Sequence, residues 1–166
     1  MTGRSVSAND FRQVLGLYPT GVVIVTSMNE HGLPIGMAVN SFTSVSLSPP
    51  LVAFWADLGS STFPKIRAAE KFCANVMAQD QAELCKALLR PSEIRFRGVR
   101  YRTSEGGSPI LEGVAAWIDC RIESLSTHGD HTMCVGRVYA LGGDSTRKPL
   151  IFHSGSFTSV ADPPIA

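Results

Sequence analysis

The sequence predicts a mostly β protein, an antiparallel β-barrel with two or three short helices packed outside it. A run of β-branched residues at 22–26 is typical of a buried strand. From 114 to 123, apolar residues alternate with a mixed set, the period-two pattern of a strand with one buried face. Turn residues separate many such segments, and hairpin connections between short strands favour a barrel.

The first half of the chain begins with a predicted helix. Ser7 is a suitable N-cap and Pro19 ends the helix. Apolar side chains follow the cap at helical spacing, at Phe11, Val14, Leu15 and Tyr18. Strands are then predicted at 22–26, 34–43, 45–47 and 51–56. Turn chemistry at 29–32 makes residues 21–43 a hairpin.

In the second half, helices at 60–70 and 79–89 alternate with strands. The strands are predicted at 72–77, 114–123, 133–141 and 149–157. The strand at 133–141 should pair with the one before it across a turn at 128–131. Between 90 and 109 the chain is polar and contains several glycines and prolines, so we predict an irregular segment. A long loop in a compact domain is often functional.

Length and composition bound the class of protein. The 166 residues predict one domain over 1–166, with a core at about 10–157. A net charge of +1 without a basic block argues against a nucleic-acid partner. Only 17% of the residues are charged, which leaves apolar surface that a partner subunit can cover. The start of the chain has no apolar core of a secretory signal, and no apolar run reaches the ~18 residues of a membrane span. We therefore predict a cytoplasmic protein.

The cysteines support the same location. None of the four forms a Cys-x-x-Cys pair, and three of them lie inside apolar, strand-like runs. Free cysteines of this kind are usually buried and reduced in proteins of the cytosol. The residues are Cys73, Cys85, Cys120 and Cys134.

A polar segment after the second strand is the first candidate for ligand binding. Its members combine small hydroxyl groups with one amide, and they are Asn40, Ser41, Ser44, Val45 and Ser46. A flat heterocycle with carbonyl and N–H edges needs both donors and acceptors, which Asn side chains and backbone groups supply. The structural alternative is a polar strand end that turns into a loop.

A second hydroxyl cluster, Ser60-Ser61-Thr62, opens the helix predicted at 60–70. Free N–H groups at a helix start attract anions, so a phosphate can bind there. Helix capping is the alternative, and the two roles are compatible. The pair Arg95-Phe96 falls in the irregular segment and is either part of a ligand-facing loop or an ordinary solvated Arg beside a loop anchor.

A third candidate is the turn Gly129-Asp130-His131 at a predicted hairpin tip. Glycine suits a positive φ and aspartate is a common turn residue, so an ordinary turn is the structural alternative. His128 and His131 without further local ligands are a poor zinc signature, and we predict no metal site. The chain has neither the Gly-x-Gly-x-x-Gly of a Rossmann fold nor a Gly-x-Ser-x-Gly elbow.

These three segments together resemble the flavin reductase-like family, the short-chain NAD(P)H:flavin oxidoreductases, over roughly residues 10–157. The resemblance implies an FMN-binding split β-barrel, antiparallel and Greek-key-like, that forms a homodimer with flavin near the interface. It implies that residues 40–46 contact the flavin ring and ribityl chain and that residues 60–62 contact the phosphate. Arg95-Phe96 is similar to a Lys-Phe pair on the family's flavin-facing loop, and His131, with Gly129 and Asp130, corresponds to the contact with the nicotinamide nucleotide.

The function that the resemblance implies is hydride transfer from NADH or NADPH to FMN or FAD. The reduced flavin would serve a separate flavin-dependent monooxygenase. The alternative is a split-barrel protein that binds flavin or haem for storage or sensing, without turnover, because a fold alone does not fix a function. The chain also departs from the family pattern, with Ala38 where many members have Thr, and Ser156 and Phe157 where many have Arg and Tyr.

Overall fold

Antiparallel strands and three short helices make up the computed structural model, which describes residues 5–91 and 94–161. The helices are α1 (Ala8–Gly16), α2 (Phe63–Ala69) and α3 (Ala82–Leu88). The strands are β1 (Thr20–Gly21), β2 (Val23–Met28), β3 (Pro34–Val39), β4 (Thr43–Leu47), β5 (Pro50–Asp57), β6 (Lys71–Val76), β7 (Tyr101–Thr103), β8 (Pro109–Leu111), β9 (Ala116–His128), β10 (His131–Gly143), β11 (Leu150–His153) and β12 (Ser156–Ser159). A single 3-10 turn, Gln79–Gln81, precedes α3.

Seven of the strands form one sheet in the order β3-β2-β6-β9-β10-β5-β4, with every neighbouring pair antiparallel. The longest pair is the β9–β10 hairpin, whose tip places His128 opposite His131. Gly129 in that tip has a φ of 59°, a conformation that favours glycine. The predicted hairpins at 21–43 and 114–141 are confirmed.

The sheet curves until its two ends meet. β3 contacts β5, although four strands lie between them in the sheet order. Ser41, just after β3, fastens this closure: its Oγ accepts a hydrogen bond from the backbone N–H of Trp55 at 3.0 Å and donates to the carbonyl of the same residue at 3.3 Å. The predicted antiparallel barrel with short flanking helices is confirmed.

Two apolar clusters form the core. The first draws on strands around the whole sheet and on α2, so it fills the barrel; Phe54 is at its centre, with edge-to-face contacts to Phe63 at 6.0 Å and to Phe72 at 5.2 Å. The second lies on the other face of β2, where Ile24 and Leu88 pack with residues of β8 and β11. The barrel interior and the outer layer therefore meet at β2.

The structure corrects three of the predicted elements. The strand predicted at 34–43 ends at Val39, because residues 40–42 leave the ladder to cross to β4. The strand predicted at 149–157 is a hairpin of β11 and β12, with Ser154 and Gly155 at positive φ in the turn. The segment at 90–109 is not wholly irregular, since it contains β7 and leads into β8.

β8 is held on the sheet by a buried polar residue. Asn75 accepts a hydrogen bond from the N–H of Leu111 at 2.8 Å and donates to the carbonyl of Pro109 at 3.3 Å. Thr26, also fully buried, donates to the same Pro109 carbonyl at 2.5 Å. Both residues thus satisfy buried backbone groups, which is why polar side chains are stable there.

Helix α1 has the predicted cap but does not bury its apolar face. The Oγ of Ser7 accepts a hydrogen bond from the N–H of Asp10 at 3.1 Å. None of the helix residues is buried, and Phe11 and Val14 are 58% and 63% exposed. Tyr18, two residues beyond the helix, is 69% exposed. An apolar face of this kind is left for a partner or a ligand.

All four cysteines are buried and reduced, as predicted. Burial raises the pKa of Cys73 and of Cys134 to about 12, so their thiols stay protonated at neutral pH. Within the described residues, no helix is both long and apolar enough to cross a membrane. The prediction of a single domain over 1–166 includes residues outside the described ranges and stays a prediction.

Candidate functional site

A groove of about 1250 Å³ opens where the end of β3, β5, α1 and the β9–β10 tip meet. It brings together four of the residues predicted for the site, namely Asn40, Ser41, Asp130 and His131. The first two follow β3 and the last two belong to the hairpin tip, about ninety positions later in the chain. The pairing of β10 with β5, which sets His131 opposite Asp57, produces this juxtaposition.

Asp130 and His131 form a hydrogen-bonded pair at the rim of the groove. His131 Nδ1 lies 2.7 Å from Asp130 Oδ1. The carboxylate can only accept, so Nδ1 carries the proton of this hydrogen bond, and Nε2 is the acceptor whenever the ring is neutral. The hydrogen bond from His131 lowers the pKa of the Asp130 carboxyl, which keeps the pair intact at neutral pH. The imidazole is therefore held in one tautomer beside the groove.

Asn40 and Ser41 are neighbours with different roles. The side-chain amide of Asn40 is exposed and makes no hydrogen bond to any other residue that the structure describes. The Ser41 hydroxyl donates its proton to the backbone carbonyl of Trp55 and accepts a hydrogen bond from the N–H of the same residue. Asn40 is thus available to a ligand, whereas Ser41 closes the barrel.

A second cluster of predicted residues lies along β3, around Gly36. Arg95 donates through Nη1 to the carbonyl of Gly36 and, at 3.0 Å, to the hydroxyl of Thr62. A side chain at position 36 would meet the ring of Phe96 at 3.1 Å, so glycine is needed for this close packing. Thr62 is only 6% exposed. The sequence placed Arg95 and Phe96 in a loop and Thr62 at a helix start, as separate candidates. The structure brings the loop and the helix start into contact through the Arg95–Thr62 hydrogen bond.

The start of α2 differs from the expected anion site. The hydroxyl of Ser60 accepts hydrogen bonds from the N–H groups of Thr62 at 3.3 Å and Phe63 at 3.1 Å. The next residue, Pro64, has no N–H. Thr62 occupies the N-cap position without a side-chain capping bond. Ser60 is therefore the cap, and an anion near this helix would have to bind side chains rather than these backbone donors.

The remaining predicted residues lie outside the groove. Ser44, Val45 and Ser46 are on β4, an edge strand of the sheet, and a register shift between Ser44 and Ser46 makes Val45 a bulge. Ser61 is exposed beside α2, and Gly129 forms the hairpin turn without lining the groove.

Several residues of the groove were not predicted from sequence. Arg12 of α1, Trp55 and Asp57 of β5, and His128 of the hairpin tip all line it. The alternation along β5 places Trp55 and Asp57 on one face, but which face meets the groove depends on the register with β10. Among residues 5–91 and 94–161, no three His, Cys, Asp or Glu side chains cluster closely enough to hold a metal ion.

Comparison with known proteins identifies the family to which this chain belongs. Residues 15–161 match the model of the flavin reductase-like domain. A flavin reductase of Pseudomonas putida is 50% identical over 151 residues, which cover 91% of this chain and 89% of that protein. The reductase subunit HsaB of a flavin-dependent monooxygenase from Rhodococcus jostii is 37% identical over 160 residues, covering 96% of this chain and 82% of that protein.

A solved structure agrees with these relatives. The NADH:FAD oxidoreductase SgcE6 of Streptomyces globisporus, in complex with NAD and FAD fragments, superimposes with a TM-score of 0.89 at 32% identity, covering 98% of this chain and all of that one. The predicted family, fold and enzyme class are confirmed. The chain belongs to the flavin reductase-like family, and as an enzyme it is an NAD(P)H:flavin oxidoreductase.

Proposed function

We propose that the chain transfers hydride from NADH to FMN or FAD in the groove and supplies the reduced flavin to a flavin-dependent monooxygenase, as its reductase component. The observation that carries this proposal is the groove shared by the unpartnered amide of Asn40 and the Asp130–His131 pair. The flavin, when bound, supplies the hydride-accepting nitrogen. The protein's own residues therefore have to bind the flavin and the nicotinamide nucleotide, orient them towards each other and exclude water.

Flavin recognition is proposed to run along β3. The free amide of Asn40 suits the carbonyl and N–H edge of the ring. Four residues earlier, at a distance of about 13 Å along the strand, Arg95 donates to the carbonyl of Gly36 and to the hydroxyl of Thr62. A ribityl chain and a phosphate ester cover a span of this size. Because the N–H groups of Thr62 and Phe63 are already taken by Ser60, the phosphate is proposed to rely on Arg95 and on the hydroxyls of Ser61 and Thr62.

The edge strand β4 gives a further proposed flavin contact. An edge strand leaves one row of backbone N–H and C=O groups without partners in the sheet. Ser44, Val45 and Ser46 lie on this edge, and the bulge at Val45 turns the strand locally. We propose that these backbone groups contact the flavin ring or its ribityl chain.

For the hydride donor we propose NADH in preference to NADPH. His131 presents Nε2 as an acceptor and would receive a hydrogen bond from the nicotinamide nucleotide. The carboxylates of Asp57 and Asp130 line the groove, and the guanidinium of Arg12 neutralises only one of their two negative charges. Like charges repel, so the additional phosphate of NADPH would be disfavoured there. The relative from Streptomyces globisporus also uses NADH.

A homodimer is the proposed assembly. Support comes from the apolar surface of α1 and of the two residues that follow it. Phe11 and Val14 of the helix, and Leu17 and Tyr18 after it, are each more than half exposed. Phe11 also lines the groove, so a second subunit packed on α1 would lie beside the site. The monooxygenase receives reduced flavin, and this chain need not contact it directly.

The proposal is tested by steady-state oxidation of NADH, followed by the loss of its near-ultraviolet absorbance. NADH should be consumed only when FMN or FAD is added or already bound. A protein that holds flavin for storage or sensing would bind it without consuming NADH, so equilibrium binding measured on the same preparation separates the two functions. Absence of both flavin binding and turnover would contradict the proposal.

A further inference from the structure

Two residues of the groove, Trp55 and Asp57, lie on the same face of β5. Val52, Phe54 and Ala56 of this strand belong to the core cluster inside the barrel. Successive side chains of a strand alternate between its two faces, so Trp55 and Asp57 share the opposite face at a spacing of about 7 Å. An aromatic ring and a carboxylate are therefore neighbours on one wall of the groove.

The carboxylate of Asp57 is held in place through one of its oxygens. Oδ1 accepts a hydrogen bond from the N–H of Gly59 at 2.6 Å. A side chain at position 59 would meet the same oxygen at 3.0 Å, so glycine leaves room for this short contact. The N–H of Leu58 donates to the carbonyl of Asp130 at 2.9 Å, which ties the turn to the hairpin tip. Within residues 5–91 and 94–161, Oδ2 has no hydrogen-bond partner and is available to a ligand.

Trp55 is fixed through its backbone and leaves its indole available. Its N–H donates to Ser41 Oγ at 3.0 Å, and its carbonyl accepts from the same hydroxyl at 3.3 Å. The residue is half-buried, and no other ring or cation of the described part of the chain stacks on its indole. A half-buried aromatic ring that faces a groove is a stacking surface for a planar base.

We propose that Trp55 and Asp57 bind the adenosine half of NADH, with the adenine stacked on the indole and the ribose 2′-hydroxyl donating to Asp57 Oδ2. The inference rests on the proposed function and adds the residues that recognise the hydride donor. The base and the 2′-hydroxyl are carried by neighbouring carbons of one ribose, so both can reach neighbouring side chains of one strand face. A carboxylate that accepts from a ribose 2′-hydroxyl is a common means of recognising NADH.

The same contact makes Asp57 the residue that selects NADH over NADPH. NADPH carries a phosphate on that hydroxyl, which removes the donor and places negative charge against the carboxylate. Asp130 is less suited to this role, although it also lines the groove. Its carboxylate already accepts from His131, and its side chain is 90% exposed, so water and salt screen its charge.

The first test uses the unmodified chain at saturating FMN, so it does not depend on whether any variant folds. The analogue of NADH that lacks the 2′-hydroxyl of its adenosine ribose should have a kcat/KM about tenfold lower than that of NADH or less, the loss expected for a hydrogen bond to a charged group. Reduced nicotinamide mononucleotide, which has no adenosine, should be poorer still because it also loses the stacking on Trp55.

The second test changes each residue in turn. Asp57→Asn keeps the size of the side chain and removes its charge, so the ratio of kcat/KM for NADPH to that for NADH should rise about tenfold or more. Trp55→Ala should raise the KM for NADH about fivefold or more, and Trp55→Phe, which retains a ring, should lose clearly less. Reduced nicotinamide mononucleotide should react equally well with all three variants and the wild type, and their affinity for FMN should not change. Asp80→Asn makes the same change at an exposed carboxylate outside the groove and should leave the NADPH-to-NADH ratio unchanged.

The outcomes separate this inference from the function on which it rests. Equal kcat/KM for NADH and its 2′-deoxy analogue, or an unchanged NADPH-to-NADH ratio in Asp57→Asn, would overturn the inference and leave the proposed function intact, since NADH would still reduce the flavin. Losses in Trp55→Ala that are as large with the mononucleotide as with NADH, or that extend to FMN affinity, would also overturn it. If NADH reduces no flavin with the wild-type chain, the proposed function itself fails.

Discussion

Thr62 Oγ1 accepts a hydrogen bond from Arg95 Nη1 across 3.0 Å, although the two residues are 33 positions apart. The same guanidinium donates to the carbonyl of Gly36 and, through Nε at 3.0 Å, to the carbonyl of Arg90. Thr62 is nearly buried, so this contact is shielded from water. These three acceptors give the guanidinium of Arg95 a defined orientation, which suits recognition of a phosphate.

The first prediction concerns Thr62→Ala. Removing the hydroxyl deprives Arg95 of one acceptor and should lower the free energy of unfolding by about 1.5–3 kcal/mol, the range for hydrogen bonds to charged groups. It should also weaken FMN binding by releasing Arg95. Riboflavin, which lacks the phosphate, should bind the variant and the wild type equally. Urea unfolding and fluorescence titration with both flavins measure these quantities.

Thr62→Ser is the matched control, because it keeps the hydroxyl and should retain FMN affinity. If Thr62→Ala weakens riboflavin and FMN binding to the same extent, Thr62 does not act through the phosphate. If FMN affinity does not change while stability falls, the Thr62–Arg95 contact is structural only.

The second prediction concerns the hydrogen-bonded pair at the hairpin tip. His131→Ala should raise the KM for NADH with little effect on FMN affinity, because the residue is at the rim of the groove and its loss leaves the core intact. Asp130→Asn should have a smaller effect of the same kind, since it removes the carboxylate that holds His131 in one tautomer. Initial-rate kinetics at varied NADH measure both.

His31→Ala, in an exposed turn outside the groove, serves as the control. A contact made equally in the ground state and the transition state raises KM alone, and one made mainly in the transition state lowers kcat. Unchanged NADH kinetics in His131→Ala would mean that the Gly129-Asp130-His131 segment is only a turn.

The third prediction is a pH dependence. Burial, followed by the neighbouring charge of Asp119, raises the pKa of Tyr139 to about 12. A group whose pKa is raised in the folded state stabilises the fold fully below its unfolded value, about 10. This contribution is lost as the pH rises towards 12. The melting temperature of the wild type should therefore fall more steeply between those values than that of Tyr139→Phe. Parallel curves for the two proteins would contradict the prediction.

The fourth prediction concerns α1. Val14→Asp places a charge on the exposed apolar face and should convert a dimer to monomers, as measured by sedimentation equilibrium over a range of concentrations. Leu33→Asp, a similar change at an exposed position in the β2–β3 turn, should remain dimeric. A wild-type chain that sediments as a monomer at all concentrations and still reduces flavin would rule out the dimer.

Much of the fold could be predicted from local patterns. The alternation along 114–123 predicted β9, and the Ser7 cap with the apolar spacing after it predicted α1. Each of these two signals is contained in a short stretch of sequence. The end of β3 was less accessible: Val39 and Asn40 are both compatible with a strand, and only the crossing to β4 ends the ladder. The β11–β12 turn was missed although Ser154-Gly155 is a dipeptide typical of turns. The apolar, strand-like residues on both sides favoured one continuous strand, and the structure places both turn residues at positive φ.

The candidate site was predicted residue by residue but not as an arrangement. The family resemblance, rather than turn and hydroxyl chemistry alone, assigned Asn40 and His131 to the site. Their meeting depends on the register of β10 with β5. The role of Ser41 was also beyond local patterns, whereas capping by Ser60 was the structural alternative stated for residues 60–62. Each hydroxyl is used by backbone groups, those of Trp55 and of the α2 start, whose positions only the folded chain defines.

The central claim, that the groove directs hydride from NADH to flavin, is tested most directly by a single-turnover experiment without oxygen. The chain is mixed with FMN and NADH, and the loss of the oxidised flavin absorbance is followed in time. We predict bleaching of the flavin at a rate that rises with the concentration of the chain and is slower with NADPH and in His131→Ala. A rate equal to that of NADH and FMN alone, at chain concentrations where FMN is bound, would contradict the account.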